Sequence, residues 1–230
     1  MAELIAERLA AVREGIAEAA RKTGRRAEEI TLVAVSKTKP AADIAAAVKA
    51  GQLEFGENYA QELREKMEQV ADPRVRWHFI GHLQSNKVKH LVGAAALIHS
   101  VDTVKLLDEI NKRAADRNLV QEVLIEVNLG GEGSKSGVEE AGASSLIGAG
   151  IERPNLKVVG LMTMPPYFPD GELSRPYYRR LRELRDREQE RFGERADLRE
   201  LSMGLSHDFR VAVEEGATLV RVGTAIFGAR

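Results

Sequence analysis

The chain has 230 residues, with 34 Lys and Arg against 35 Asp and Glu and a formal net charge of −1, a balance that removes the electrostatic basis for tracking a nucleic-acid backbone. At 43% hydrophobic and 30% charged, it has the apolar material for a core and the charge for solubility, which excludes a disordered or fibrous polymer. The lack of cysteine excludes disulfides, thiolate metal sites and a cysteine nucleophile, and no stretch reaches the roughly 18 apolar residues of a membrane span or the layout of a signal peptide, so a cytoplasmic globular protein without membrane partners is expected.

In chain order, Ile5, Leu9, Val12 and Ile16 are spaced four, three and four apart, the stripe of an amphipathic helix that ends near Thr23-Gly24. Residues 31–37 form a short apolar, β-branched run, followed by an Ala-rich helix from Pro40 that stops at Gly51. The pattern then recurs. Residues 53–56 precede a helix opened by Asn58, with Gln61 at capping-box spacing. Residues 77–80 precede a helix at 86–91, residues 97–100 one from Thr103, and residues 123–128 one from about Glu139. Residues 158–163 lead to a helix entered at Pro176, residues 200–203 to one near Phe209, and residues 219–222 to a short closing turn. Eight strand-helix units without a break in composition or a linker rich in Pro, Gly and Ser predict an α/β fold, a single (β/α)8 barrel domain over residues 1–230 with an extra N-terminal helix. A count of seven or nine units would instead favour an open doubly wound sheet.

Such barrels hold ligands on the loops at the C-terminal ends of their strands. The sequence places Ser36-Lys37-Thr38-Lys39 after the first strand, Gly56-Glu57-Asn58 after the second, Ser202-Met203-Gly204-Leu205-Ser206 after the seventh and Arg221-Val222-Gly223-Thr224 after the eighth. A lysine that ends an apolar strand is partly desolvated, which lowers an amine pKa toward the nucleophilic form of Schiff-base lysines. The other reading of Lys37 is a strand-end lysine whose head snorkels to solvent. Lys39, followed by Pro40, has the character of such a surface residue. The hydroxyls and glycines of the last two loops suit a phosphate cradle, although small residues also make tight turns. With a lysine across the barrel mouth they point to a phosphorylated aldehyde.

Other matches carry less. The stretch Gly130-Gly131-Glu132-Gly133-Ser134-Lys135-Ser136 has Ser134 where a Walker loop needs glycine. His78 and His82 have metal-ligand spacing only on a helix; along a strand they stand about 13 Å apart. Residues 175–200, with nine basic and seven acidic side chains and Tyr177, Leu181 and Leu184 at helical spacing, read as a solvated barrel helix. There is no nucleophile elbow and no paired-carboxylate arrangement.

The motifs Val35-Ser36-Lys37-Thr38-Lys39-Pro40, Phe55-Gly56-Glu57-Asn58-Tyr59, Trp77-His78-Phe79-Ile80-Gly81-His82-Leu83-Gln84-Ser85-Asn86-Lys87, Ser134-Lys135-Ser136-Gly137, Leu201-Ser202-Met203-Gly204-Leu205-Ser206 and Arg221-Val222-Gly223-Thr224-Ala225-Ile226-Phe227-Gly228 follow one another along nearly the whole chain. In these the sequence resembles the pyridoxal phosphate homeostasis proteins. The resemblance implies an alanine racemase-type (fold type III) barrel that binds pyridoxal 5'-phosphate (PLP). By matching position, Lys37 would form the internal aldimine, and Ser206, Gly223 and Thr224 would hold the phosphate, with Ser202 nearby. Arg221 would face the pyridine nitrogen and Asn58 would line the ring pocket. His207 and Thr163-Met164-Pro165-Pro166 depart from the family's usual pattern, at the pocket rim.

The resemblance further implies a carrier that buffers or delivers PLP inside the cell, not an enzyme, with PLP-dependent apo-enzymes as the partners it would serve. An arginine at the pyridine nitrogen stays protonated and only donates, which discourages ring protonation and weakens the electron sink. The rival is a fold type III amino-acid racemase, which needs a second acid/base opposite the lysine, commonly from an added C-terminal domain. The sequence ends at Arg230, two residues after Gly228, so neither that domain nor the dimer it forms is expected, and a monomer is. A class I aldolase shares the lysine chemistry but leaves Arg221 unexplained.

Overall fold

Short β-branched runs become the staves of a closed barrel. The computed structural model describes residues 2–131 and 136–228. Its strands are β1 (Thr31–Val35), β2 (Glu54–Glu57), β3 (Arg76–Phe79), β4 (Leu97–Val101), β5 (Gln121–Asn128), β6 (Val138–Glu139), β7 (Leu156–Met162), β8 (Glu200–Ser202) and β9 (Leu219–Val222). All pairings are parallel. The ring runs β1-β2-β3-β4-β5-β7-β8-β9 and closes through β9 and β1, while β6 pairs with the end of β5 outside the ring. These eight ring strands are the eight expected. Between β7 and β8 the backbones approach so closely that a Cβ on Gly160 would stand 1.9 Å from the Glu200 carbonyl oxygen, so only glycine fits there.

The helices are α1 (Ala2–Lys22), α2 (Ala41–Lys49), α3 (Ala60–Val70), α4 (Val88–Leu91), α5 (Val104–Ala115), α6 (Glu140–Ile151), α7 (Arg175–Phe192), α8 (Phe209–Glu214) and α9 (Thr224–Phe227). The extra helix α1 buries the predicted stripe Ile5, Leu9, Val12 and Ile16 and packs on α2, α8 and α9. On α7 the residue that is fully buried beside Leu181 and Leu184 is Tyr178, with Tyr177 only half-buried. Asn58 does not open α3: the helix begins at Ala60, its cap residue Tyr59 offers no side-chain bond, and Gln61 donates instead to Glu65. No helix among the described residues is long and apolar enough to cross a membrane.

Strand alternation sends every second side chain into the lumen. Val33, Leu97, Leu124, Val159, Met162 and Leu219 form an apolar cluster of their own, separate from the large core between strands and helices. The same inward parity on β3, β4, β5, β8 and β9 carries His78, His99, Glu126, Ser202 and Arg221, all buried. The lumen therefore has an apolar part and a polar part, and the polar part leads to the site.

Candidate functional site

The loops at the C-terminal ends of β1, β2, β8 and β9 surround a cavity of about 260 Å³. Six predicted residues line it: Lys37, Asn58, Ser206, Arg221, Gly223 and Thr224. Val35, Ile80 and Leu205 add an apolar wall, and Met164, Tyr167 and His207 form the rim. On that rim the rings of Tyr167 and His207 pack with centroids 4.9 Å apart. The seventh predicted residue, Ser202, is fully buried and does not line the cavity. Its hydroxyl is taken by Arg221 and His99 instead.

Lys37 sits on a backbone gripped from both sides. Ser36 donates its hydroxyl to Glu57 Oε1 at 2.6 Å, and the buried Lys66 ammonium donates to Ser36 O at 2.6 Å, Glu57 Oε1 at 2.7 Å and Glu62 Oε1 at 2.6 Å. Glu62 in turn accepts the Thr38 amide at 2.5 Å, and Thr38 adopts φ +63°, the left-handed turn that follows the lysine. Burial pushes the Glu57 carboxyl upward, while the bonds from Lys66 and Ser36 oppose this. Lys39 is not the surface residue expected: its ammonium reaches the carbonyls of Phe227 and Gly228 at 3.3 and 3.2 Å, tying the first loop to the last helix. The Lys66 cluster carries no local sequence signal, since a lysine four residues from a glutamate normally marks a solvated helix face.

Asn58 follows directly on β2, and the loop after β3 lies tightly against it: a Cβ on Gly81 would stand 2.2 Å from the Asn58 carbonyl oxygen. The Asn58 side-chain oxygen is buried without a partner in the protein. Arg221 donates to Ser202 Oγ at 2.5 Å and to the Thr163 carbonyl at 2.9 Å. Burial lowers its pKa, and Tyr178, Glu126 and Asp208 act against that. The loop carrying Ser206 is shaped by buried Asp208, which accepts the Leu205 amide at 2.7 Å, the Tyr178 hydroxyl at 2.6 Å and the Ser174 hydroxyl at 2.9 Å. Ser206 Oγ then accepts the amides of Gly223 at 3.1 Å and Ala225 at 3.3 Å, which joins the seventh and eighth loops.

Among the described residues no group of His, Asp and Glu is arranged to hold a metal ion. His78 lies in the lumen, whereas His82 meets Ser136 outside it. Residues 132–135 of the Walker-like stretch lie outside the described residues.

Residues 8–230 match the family described as alanine racemase, N-terminal domain. The alanine racemase of Clostridium difficile 630 has the same fold, with a TM-score of 0.67 at 13% identity, covering 95% of this chain and 59% of that one. The barrel is thus of the alanine racemase class. A pyridoxal phosphate homeostasis protein of Aquifex aeolicus (strain VF5) is 50% identical over 224 residues, 97% of each chain. The structure of PipY from Synechococcus elongatus PCC7942 with PLP bound is 33% identical, with a TM-score of 0.86 over 97% of this chain and 100% of that one. The chain belongs to the pyridoxal phosphate homeostasis protein family.

One buried carboxyl beside Arg221 makes the barrel pH-sensitive. Glu126 is pushed up from its ordinary 4.5 to about 7, first by burial and then by Asp102, with Arg221 opposing. An acid whose folded-state pKa is raised favours the native state while protonated, so its contribution is lost as pH rises from 4.5 through 7. Glu126→Gln stays neutral throughout. Denaturant melts should find the variant gaining on the parent between these pH values by about 3 kcal/mol, and a constant difference across that window would contradict the assignment.

Proposed function

We propose that this protein binds PLP in the cavity at the barrel mouth and serves PLP homeostasis as a carrier. The observation that carries the reading is the convergence of Lys37, Asn58, Ser206, Arg221, Gly223 and Thr224, drawn from four loops, on one cavity. The residues fit the group. The unpartnered Asn58 oxygen is an acceptor waiting beside the cavity, and the set supplies an amine, a donor-only guanidinium, and hydroxyls beside a tight glycine. PLP brings an aldehyde for an amine, a pyridine ring that draws electrons when its nitrogen is protonated, and a phosphate dianion. In this reading Lys37 holds the aldehyde carbon, Arg221 donates to the ring nitrogen and Asn58 borders the ring. Ser206, Gly223 and Thr224 take the phosphate, and Ser202 acts beneath Arg221.

The carrier reading is supported by the names of the relatives and by the chemistry of Arg221. A guanidinium has donors and no acceptor, so it opposes a proton on the ring nitrogen and leaves the ring a poor stabiliser of a substrate carbanion. Among the described residues, the titratable side chains that line the cavity besides Lys37 and Arg221 are Tyr167 and His207, both exposed on the rim. Apo-enzymes that require PLP are the recipients such a carrier would serve.

Borohydride reduction of the PLP-loaded protein followed by peptide mapping should find the pyridoxyl group on Lys37. Recovery mainly on Lys39, Lys87 or Lys135 would sink the assignment.

The combined variant Thr224→Val, Ser206→Ala should weaken PLP by about tenfold or more per lost bond, each hydrogen bond to a charged group being worth roughly 1.5 to 3 kcal/mol. Pyridoxal, which lacks the phosphate, should bind it nearly as it binds the parent. Equal weakening of both ligands would put the phosphate elsewhere.

With L-alanine and other L-amino acids in deuterated water, α-proton exchange and D-enantiomer formation should stay orders of magnitude below ordinary enzyme rates, because a positioned acid or base contributes typically 10² to 10⁴-fold. Turnover on the order of 1 to 10 s⁻¹ would restore the racemase, with Tyr167 and His207 as the groups to replace next.

A further inference from the structure

The polar part of the lumen is a continuous hydrogen-bonded chain. Arg221 Nη1 donates to Ser202 Oγ; Ser202 Oγ lies 2.8 Å from His99 Nδ1; His99 Nε2 lies 2.9 Å from His78 Nδ1; and His78 Nε2 lies 2.7 Å from Glu54 Oε2. The two imidazoles meet edge to face, with centroids 5.1 Å apart. The chain crosses from β9 and β8 to β4, β3 and β2. Its first member lines the cavity at the barrel mouth, and its last lines a different cavity, of about 380 Å³, with Arg13, Gln52 and Thr31.

The partners fix the protons. The Glu54 carboxylate only accepts, so His78 carries its proton on Nε2 and gives it to Glu54. His78 Nδ1 then accepts from His99 Nε2, which leaves His99 Nδ1 to accept the proton of Ser202, whose oxygen accepts in turn from Arg221. With neutral imidazoles the opposite polarity fails, because His78 Nε2 would present a lone pair to an ionised carboxylate. Every donor therefore runs from Arg221 toward Glu54, and each bond polarises the next.

We propose that His99, His78 and Glu54 are positioning residues for Arg221: their one-way chain holds the Ser202 hydroxyl turned away from the guanidinium, so that the Ser202 oxygen keeps Arg221 aimed as a donor at the cofactor's ring nitrogen. This rests on the PLP reading above. Burial, His78 and Arg221 all hold His99 well below its ordinary pKa, which keeps the chain's positive charge on Arg221. Around Arg221 the other ionisable groups are Glu126, Asp208 and Tyr178; around Glu54 it is Arg76, at 3.3 Å. If His99 is replaced by an apolar residue, the Ser202 proton loses its acceptor and turns to find another. The lone pair that fixed Arg221 is then no longer held in place.

The test compares PLP with an analogue that has a C–H in place of the ring nitrogen, reading both dissociation constants by absorbance or fluorescence in protein whose folding is checked by circular dichroism. The parent should prefer PLP by about tenfold or more, the worth of one charged hydrogen bond. His99→Leu should reduce that preference at least about threefold while leaving the analogue's affinity nearly unchanged, a pattern general loosening of the barrel would not produce. His99→Gln should restore the preference, since its amide oxygen can accept from Ser202 and its amide nitrogen can donate to His78. Glu54→Leu, at the partly exposed end, should act like His99→Leu and serves where that variant does not fold. A parent that binds both ligands equally would overturn the ring-nitrogen role of Arg221 and this inference with it. A parent that prefers PLP, with leucine variants that prefer it as strongly, would overturn the inference alone, as would a His99→Gln protein that behaves like His99→Leu.

Discussion

Four residue pairs between β1 and β9, from Thr31 with Leu219 to Ala34 with Val222, stitch the first barrel strand to the last. Everything at the cavity depends on this closure. It sets Lys37, which leaves β1, beside Gly223 and Thr224, which leave β9, although nearly the whole chain separates them. The approach is close: a Cβ on Gly223 would stand 3.2 Å from the Val35 carbonyl oxygen. Lys39 reinforces the seam from outside through the carbonyls that end α9. Contacts this distant in sequence return nothing until the loop between them is closed, so the cavity exists only in the completed barrel.

Two buried cations flank that seam, and each is stable only because its donors are used. Lys66 spends its three on Ser36, Glu57 and Glu62. Arg221 has Ser202 and the Thr163 carbonyl, with the cavity beside it. An ammonium or guanidinium in the interior without such partners would carry a desolvation penalty of several kcal/mol. The contrast between them is functional: Lys66 is saturated by protein and shapes the backbone under Lys37, whereas Arg221 borders open space.

Much of this was legible in the sequence, and the parts that were not have physical reasons. The eight barrel strands stand out because each is a short β-branched run bounded by helix-start or loop signals, and the rule that barrels bind at the C-terminal ends of strands puts the six cavity residues within the loop stretches, from which the family resemblance singles them out. The sequence around Asn58 suits both a cavity residue and a helix cap; one side chain can serve only one of these, and it lies in the cavity. Ser202 sits at the right strand end, yet the inward parity it shares with Arg221 turns it under the arginine. Lys39 read as exposed because nothing local announces that the chain's last helix arrives next to it. The histidine chain joins residues 21 and 103 positions apart, a distance no periodicity reports. Its one trace is a polar side chain on the inward parity of β3, β4, β8 and β9.

The two sides of the cavity differ in a way that bears on what it can do. Its inner wall is held by buried networks: the Lys66 cluster under Lys37, the Asp208 cluster under Ser206, and the luminal chain behind Arg221. Little conformational entropy remains there to be lost when a ligand is bound, so affinity can come from a few bonds. The rim, by contrast, is made by Met164 and Tyr167, apolar side chains that are 46% and 74% exposed, and by His207 packed at a tilt against Tyr167. Such a rim can cover the outer face of an aromatic ring without sealing it from water. Enzymes that stabilise charge in a transition state do so best where water is excluded. A firm inner wall behind a solvent-exposed rim fixes one side of a bound ligand and leaves its other side within reach of water.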